Sequence, residues 1–182
     1  MVPEAPLEDT ETGRVAKGDG WYVLNARDAQ WWYADGRPAF CNLEAGATFD
    51  QLGFNMSVLW PGQPLSQYHW EADQEGFLVV AGEALLIVEE QERPLRQWDY
   101  FHCPKRASHV LVGAGEGPCV LIAVGARIDS VDNPDWGGYP VSEAAARHGA
   151  SVERETTNPD EAYAPWVKRS PTRYREGWLP EL

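Results

Sequence analysis

Three of the four histidines in this chain, His69, His102 and His109, lie within one stretch of about forty residues. Imidazole and carboxylate donors together suit a divalent first-row metal. Two histidines and one glutamate match the facial arrangement that leaves coordination positions open for substrate, water or oxygen. In an extended reading, Gln67, His69 and Glu71 share one face of a strand, while Ser66, Tyr68 and Trp70 take the other. Same-face neighbours two apart sit ~6.6 Å from each other at Cα, close enough to converge on one ion. Glu75 opens the next strand after a short turn, and His109 arrives from a later one. The expected metal set is therefore His69, Glu71, Glu75 and His109, around Fe, Mn, Ni or Zn. Glu71 is either a ligand or a nearby general base.

His102 is the second candidate for catalysis, as a proton shuttle or extra ligand, against the plainer reading of a packed strand histidine. Gln67 and Tyr68 are the candidate substrate contacts; Tyr68 is otherwise an interface aromatic. His148, next to Gly149, reads as a residue at a helix C-terminus. The run Gly113-Ala114-Gly115-Glu116-Gly117 has no helix after it and is a hairpin loop, not a phosphate cradle. No nucleophile elbow or Cys-His motif is visible.

The elements that must position these groups are strands. From about Gln51 to Arg127, short apolar segments alternate with turn chemistry such as Pro61-Gly62, Ala81-Gly82-Glu83 and Pro104-Lys105-Arg106. The expected strands are Gly53–Trp60, Pro64–Glu71, Gly76–Ala81, Ala84–Glu89, Trp98–Cys103, Ser108–Val112 and Cys119–Gly125. Glu89, Glu90 and Glu92 fall in a hairpin turn. Close strand spacing without intervening helices predicts a sandwich or barrel. Residues 1–20 form a flexible or extended arm, 21–126 the barrel, and 127–182 an extension that wraps onto it. That extension holds a short helix from Val141 to His148, capped by Ser142 and ended by Gly149. Further breaks include Asp35-Gly36 and Glu44-Ala45-Gly46.

Composition narrows the partners. The chain has 182 residues, 43% of them hydrophobic and 24% charged, which suits one globular domain. A net charge of -13 and a pI near 4.6 argue against nucleic acid, which needs clustered Lys and Arg. No apolar run is long enough for a membrane span, and the acidic N-terminus lacks the pattern of a secretion signal. Cys41, Cys103 and Cys119 are an odd set without paired spacing, expected as buried thiols. A cytoplasmic protein with a small-molecule partner is the expectation. Nine Trp are a heavy load for this length and are expected in the core, pocket or an interface.

At the histidine-bearing segments the sequence resembles the cupin superfamily. The first cupin motif runs Gly, five residues, His-x-His, three or four residues, Glu, six residues, Gly. Here Gly62, Glu75 and Gly82 fit it. The second runs Gly, five residues, Pro-x-Gly, two residues, His, three residues, Asn. Trp98, Pro104, Arg106, His109 and Gly113 keep that spacing, with Trp98, Arg106 and Gly113 as substitutions. The motifs cover roughly residues 62–113. The departure is in the His-x-His. Five residues after Gly62 place Tyr68 and Trp70 at the two positions; six place His69 and Glu71 there. The two registers send opposite faces of the strand into the barrel. The first gives a metal-free barrel, and the second keeps a ligand set. The resemblance implies an all-β fold, a small cupin-type β-barrel (double-stranded β-helix or jelly roll), often a homodimer, with a ligand at its metal-containing mouth. Cupins include dioxygenases, isomerases, epimerases, lyases and non-enzymatic binders. The expected activity is a metal-dependent enzyme, oxygenase ahead of sugar isomerase; the alternative is a small-molecule binding or sensing module without turnover.

Overall fold

Apolar runs broken by Gly, Pro and Asp fold into strands that pair antiparallel around a two-sheet core. The computed structural model describes residues 1–44, 49–130 and 132–181; part of the Glu44-Ala45-Gly46 break lies outside them. The chain opens with β1 (Leu7–Thr10) and β2 (Gly13–Ala16), then β3 (Gln30–Tyr33), β4 (Ala39–Asn42) and β5 (Leu52–Leu59). The central run is β6 (Trp70–Glu71), β7 (Glu75–Ala81), β8 (Glu83–Val88), β9 (Gln91–Arg96), β10 (Tyr100–Cys103), β11 (His109–Ala114) and β12 (Cys119–Ala126). After it come β13 (Gly137–Gly138), α1 (Glu143–Ala146), α2 (Pro159–Ala162) and β14 (Ser170–Arg173).

One sheet has the order β10-β7-β12-β5-β4-β3-β14, and the facing sheet the order β11-β8-β9. Between them lies a core of Leu59, Phe77, Val79, Leu86, Leu111 and Leu121. The alternation of side chains fixes what faces inward: Phe77 and Val79 on β7, Leu111 on β11 and Cys103 on β10. This is a small all-β barrel of the jelly-roll type. Among the described residues no helix is long and apolar enough to cross a membrane.

The outer faces differ. Tyr68, Ile87, Val110 and Val112, behind the smaller sheet, pack against Ala144, Ala145 and Ala150. Ser142 caps α1 by accepting from the Ala145 N–H, and Gly149 with φ +67° follows its end. Behind β3, β4 and β5, Trp178 and Tyr174 from the chain's last residues pack on Trp31, Ala39, Cys41 and Val58. The indole of Trp31 is fully buried and donates to the Ala26 carbonyl at 2.8 Å.

Several expectations need correction. Residues 1–20 contain the β1–β2 hairpin, not only an arm. The segment Pro64–Glu71 is not one strand: only β6 is regular, and Pro64 and His69 make isolated bridges to Val112 and His109. Glu92, expected in a hairpin turn, lies instead on β9, whose charged side chains are mostly exposed and so carry no apolar signal. Only Glu89 and Glu90 turn the chain, with φ of 47° and 62°, as a two-residue hairpin demands. His148 reaches Glu92 Oε1 at 3.2 Å, so a side-chain partner and not the helix dipole alone occupies it. Trp31 and Trp178 are buried, whereas Trp21, Trp32 and Trp98 are exposed. The three cysteines are free and buried, and burial pushes each thiol up to about 12.

The two substituted glycines of the second motif explain themselves in the backbone. Trp98 and Arg106 adopt φ of 75° and 66°, the left-handed region that favours glycine. A side chain there costs roughly 1–2 kcal/mol. Arg106 offsets this with an ion pair to Asp135 at 2.6 Å and a seat over the Trp70 ring. Trp98 is 67% exposed and has little packing to offset it. Trp98→Gly is therefore expected to raise stability by about 1 kcal/mol, read as a higher thermal midpoint. An unchanged or lower midpoint would show that the turn is not strained.

Candidate metal centre

Three elements bring the ligands to one end of the barrel. Glu75 begins β7 and, by its parity with Phe77 and Val79, points inward. His109 begins β11 and shares the parity of Leu111. His69 lies just before β6 and is locked to His109 by two reciprocal backbone hydrogen bonds, 3.1 Å from His69 N–H and 2.8 Å from His109 N–H. The donor atoms of His69, Glu75 and His109 all lie within 4.8 Å of one another. Glu71 stands beside them, with Oε1 3.6 Å from His69 Nε2.

The ring orientations are set from behind. His109 Nδ1 sits 3.1 Å from the Ala107 carbonyl, which only accepts, so Nδ1 carries the proton and Nε2 offers a lone pair. His69 Nδ1 likewise donates to the Gln67 carbonyl at 2.8 Å, leaving its Nε2 toward Glu71 and the centre. Such outer partners fix the tautomer of metal-ligating histidines. Around His109 the rings of Phe77 and Phe101 lie 5.2 Å and 5.8 Å away, and Tyr139 stacks on His69 at 5.9 Å.

The electrostatics suit a cation at this point. His109 Nε2 and Glu75 Oε2 face each other at 3.3 Å, and both are buried without a hydrogen-bond partner. A neutral imidazole lone pair and a carboxylate oxygen repel at that distance, and leaving both unpaired is costly. Burial, with the charge of His69 second, pulls His109 down to about 3, which keeps it neutral. Burial, with Glu71 second and His69 opposing, pushes Glu75 up to about 7. At His69 burial favours the neutral ring, but the hydrogen bond to Glu71 and the charges of Glu75 and Glu71 outweigh it and hold the pKa above the ordinary value. A divalent ion between these atoms would satisfy both orphans and reverse the cost at Glu75. The residues fit a metal.

The cavity above the centre has a volume of about 180 Å³ and is lined also by Phe40, Asn55, Ser66 and Arg169. Sequence reasoning missed Phe40, Asn55, Arg169 and Tyr139. They come from β4, β5 and segments after residue 126, with no motif around them. Of the two registers open in the sequence, the structure has His69 facing Glu75 and His109, with Glu71 beside His69 and not among the three grouped donors.

Three expected site residues lie elsewhere. Tyr68 is 3% exposed and packs outside the barrel, with its hydroxyl taking the Glu90 N–H at 3.4 Å. Gln67 sits between bends at Ser66 and Tyr68, where strand alternation fails, and its side chain donates to the Ala162 carbonyl at 3.1 Å. It serves the centre by its backbone, through His69. His102 is on β10 opposite in parity to Cys103, so its side chain is outside. There it joins Leu78, Tyr100, Ile122 and Val124 in a surface concavity of about 860 Å³, which is larger than the cavity above the ligands but has no converging donors of this kind.

The cupin domain family matches residues 55–125. No curated protein matches the chain in sequence. Solved structures of similar fold include a cupin from Shewanella frigidimarina, 16% identical, covering 60% of this chain and 93% of its own, with a TM-score of 0.52. A polyketide cyclase from Streptomyces resistomycificus is 13% identical over 59% of this chain and 80% of its own, with a TM-score of 0.51. A sugar phosphate isomerase of the cupin superfamily from Silicibacter pomeroyi is 26% identical over 50% of this chain, with a TM-score of 0.47. The match spans 60% of that isomerase's length. The likeness to the Shewanella frigidimarina cupin and to the polyketide cyclase speaks for the fold alone. Family match, sheet topology and inward-facing ligands agree: the chain carries a cupin domain at its centre.

Proposed function

We propose that the protein is a metal-dependent enzyme acting on a small organic molecule, with His69, Glu75 and His109 holding one divalent ion. The observation that carries this is the pair of buried, unpartnered atoms, Glu75 Oε2 and His109 Nε2, facing each other beside a cavity. When bound, the ion supplies Lewis acidity and open positions for substrate. Glu71, beside His69 and partly exposed, either completes the ligand set or moves a proton to or from the substrate. Phe40, Phe77 and Tyr139 limit water around the reacting groups. Two histidines and a carboxylate favour oxygenase-type chemistry, with isomerase-type chemistry next, because Glu71 is placed as a base. The proposed ion is Fe, Mn, Ni or Zn.

Elemental analysis of protein purified without added metal tests the reading. Near-stoichiometric metal that disappears in His109→Ala is the expected result; a metal-free parent that also fails to take up any of these ions would sink it. Glu71→Gln that keeps the metal but loses turnover assigns Glu71 as the base.

A homodimer in a cytoplasmic setting belongs to the same proposal. The concavity on the outer face of β7, β10 and β12, lined by Leu78, Ile122 and Val124, supports it. Sedimentation equilibrium returning the chain mass of 20.3 kDa at all loadings would remove the dimer.

A further inference from the structure

Arg37 and Arg169 lie where this acidic chain has least reason to leave cations alone. The chain has 28 Asp and Glu against 15 Lys and Arg, yet among the described residues neither arginine pairs with a carboxylate. Both are partly buried in one cavity of about 640 Å³, together with Tyr163 and Trp166. Lys168 and Asp160, both exposed, also line this cavity.

The two guanidinium groups are held in place by different means. Arg169 immediately precedes β14, whose pairing with β3 (Ser170 opposite Tyr33) sets it beside the Arg37-Pro38 turn. It donates Nε to the Pro38 carbonyl at 2.9 Å, and its terminal nitrogens have no protein acceptor among the described residues. The guanidinium carbon of Arg37 sits over the Trp166 ring, 3.5 Å from its centroid, with Nε buried and unpartnered. Burial and then the charge of Arg169 pull Arg37 down to about 10, with Tyr163 opposing. Burial also lowers Arg169.

This arrangement is costly unless an anion arrives. Desolvated like charges repel, and a buried guanidinium Nε–H without an acceptor forfeits a charge-assisted bond. The position is also telling. Arg169 and Leu65 line both this cavity and the smaller one above His69, Glu75 and His109, so the two spaces share a wall.

We propose that Arg37 and Arg169 form an anion subsite for the phosphate or carboxylate group of the substrate whose other end reaches the metal centre. The proposal rests on the metal-dependent reading above for the identity of that substrate. The planar forks match either oxyanion, and Trp166 holds one fork rigid from behind.

Calorimetric titration of the full chain with inorganic phosphate, and separately with succinate, tests it. The parent is expected to bind at least one of them, and Arg37→Met and Arg169→Met each to weaken that binding by ~10-fold or more. Phosphate binding without succinate identifies a phosphorylated substrate; succinate binding without phosphate identifies a carboxylate. Should the Met variants fail to fold, the parent's own Arg37 and Arg169 Nε–H resonances serve instead. Phosphate or succinate must shift them in nuclear magnetic resonance spectra. No heat and no shift with either anion overturns the proposal, as does equal affinity in folded Met variants. Glu75→Gln, lacking the metal, is expected to keep the anion affinity. A parent that binds the anion through these arginines but never takes up metal would sink the metal reading alone. A metal-loaded parent blind to both anions would sink the subsite alone.

Discussion

Glu75→Gln is expected to move metal affinity and stability in opposite directions. Loss of an outer partner to a metal ligand costs ~10–100-fold in affinity, and loss of the ligand itself should exceed that. The same substitution should raise the thermal midpoint of the metal-free protein at pH 8. There Glu75 is ionised, although burial pushes it up to about 7 and His109 Nε2 faces it 3.3 Å away. A neutral amide can donate to that imidazole nitrogen, turning a repulsion into a hydrogen bond. The gain should shrink below pH 7, because the parent's Glu75 then takes up a proton while the folded state tolerates it. Isothermal titration with Zn and Mn, together with thermal melts of chelator-treated protein at two pH values, checks both halves. Unchanged metal affinity would remove Glu75 from the ligand set, and a lower midpoint at pH 8 would deny the repulsion.

The largest effect on stability alone is expected at Asp73. Its carboxylate is 2% exposed and accepts from the N–H groups of Ile128, Asp129 and Ser130 at 2.9–3.0 Å and from the Ser130 hydroxyl at 2.7 Å. Burial works to raise its pKa, but the bonds from Asp129, Ser130 and Ile128 prevail and hold it down to about 2. Asp73→Ala should cost about 3 kcal/mol, from lost charge-assisted bonds and stranded backbone donors. The depressed pKa gives a stabilisation that is complete above the ordinary carboxylate value and disappears as pH falls from about 4 toward 2. That loss amounts to roughly 2 kcal/mol. Urea unfolding of parent and variant at pH 7, 4 and 2.5 separates these contributions: the gap between them should narrow with acid. A constant gap would mean that the charge of Asp73 contributes nothing. Asp73 lies between β6 and β7 and ties their turn to the segment leading to Trp136 and Tyr139. The Ala72 N–H bonds the Trp136 carbonyl at 2.7 Å in the same junction. Loosening it should therefore also weaken metal binding.

The central strands were legible because their apolar runs are bounded by turn residues, and because Glu75 and His109 hold their motif positions whichever way the preceding segment faces. His69 was legible as a donor of the expected metal set, while its facing rested on a one-residue choice of register. Its facing depends on bends at Ser66 and Tyr68 that no periodicity reports, and the same bends send Gln67 and Tyr68 away from the cavity. His102 misled for a related reason. Tyr100, Phe101, His102 and Cys103 all suit either face of a strand, so their parity is decided by packing against Phe77. Glu92 misled because an exposed, charged strand reads as a loop. Arg37, Tyr139 and Arg169 were invisible as site residues. Each lies far along the chain from the motifs, and each reaches the site region through tertiary packing: Arg169 by the β3–β14 pairing, Tyr139 by its stack on His69.

The paired backbone bonds between His69 and His109 have a consequence for timing. Two ligands joined through the main chain do not have to find each other when an ion enters; their separation is inherited from folding. Uptake then has no search for ligands to wait on, and its rate is governed by shedding of water from the ion and by passage through the cavity mouth. Exchange of one ion for another is limited by the same doorway.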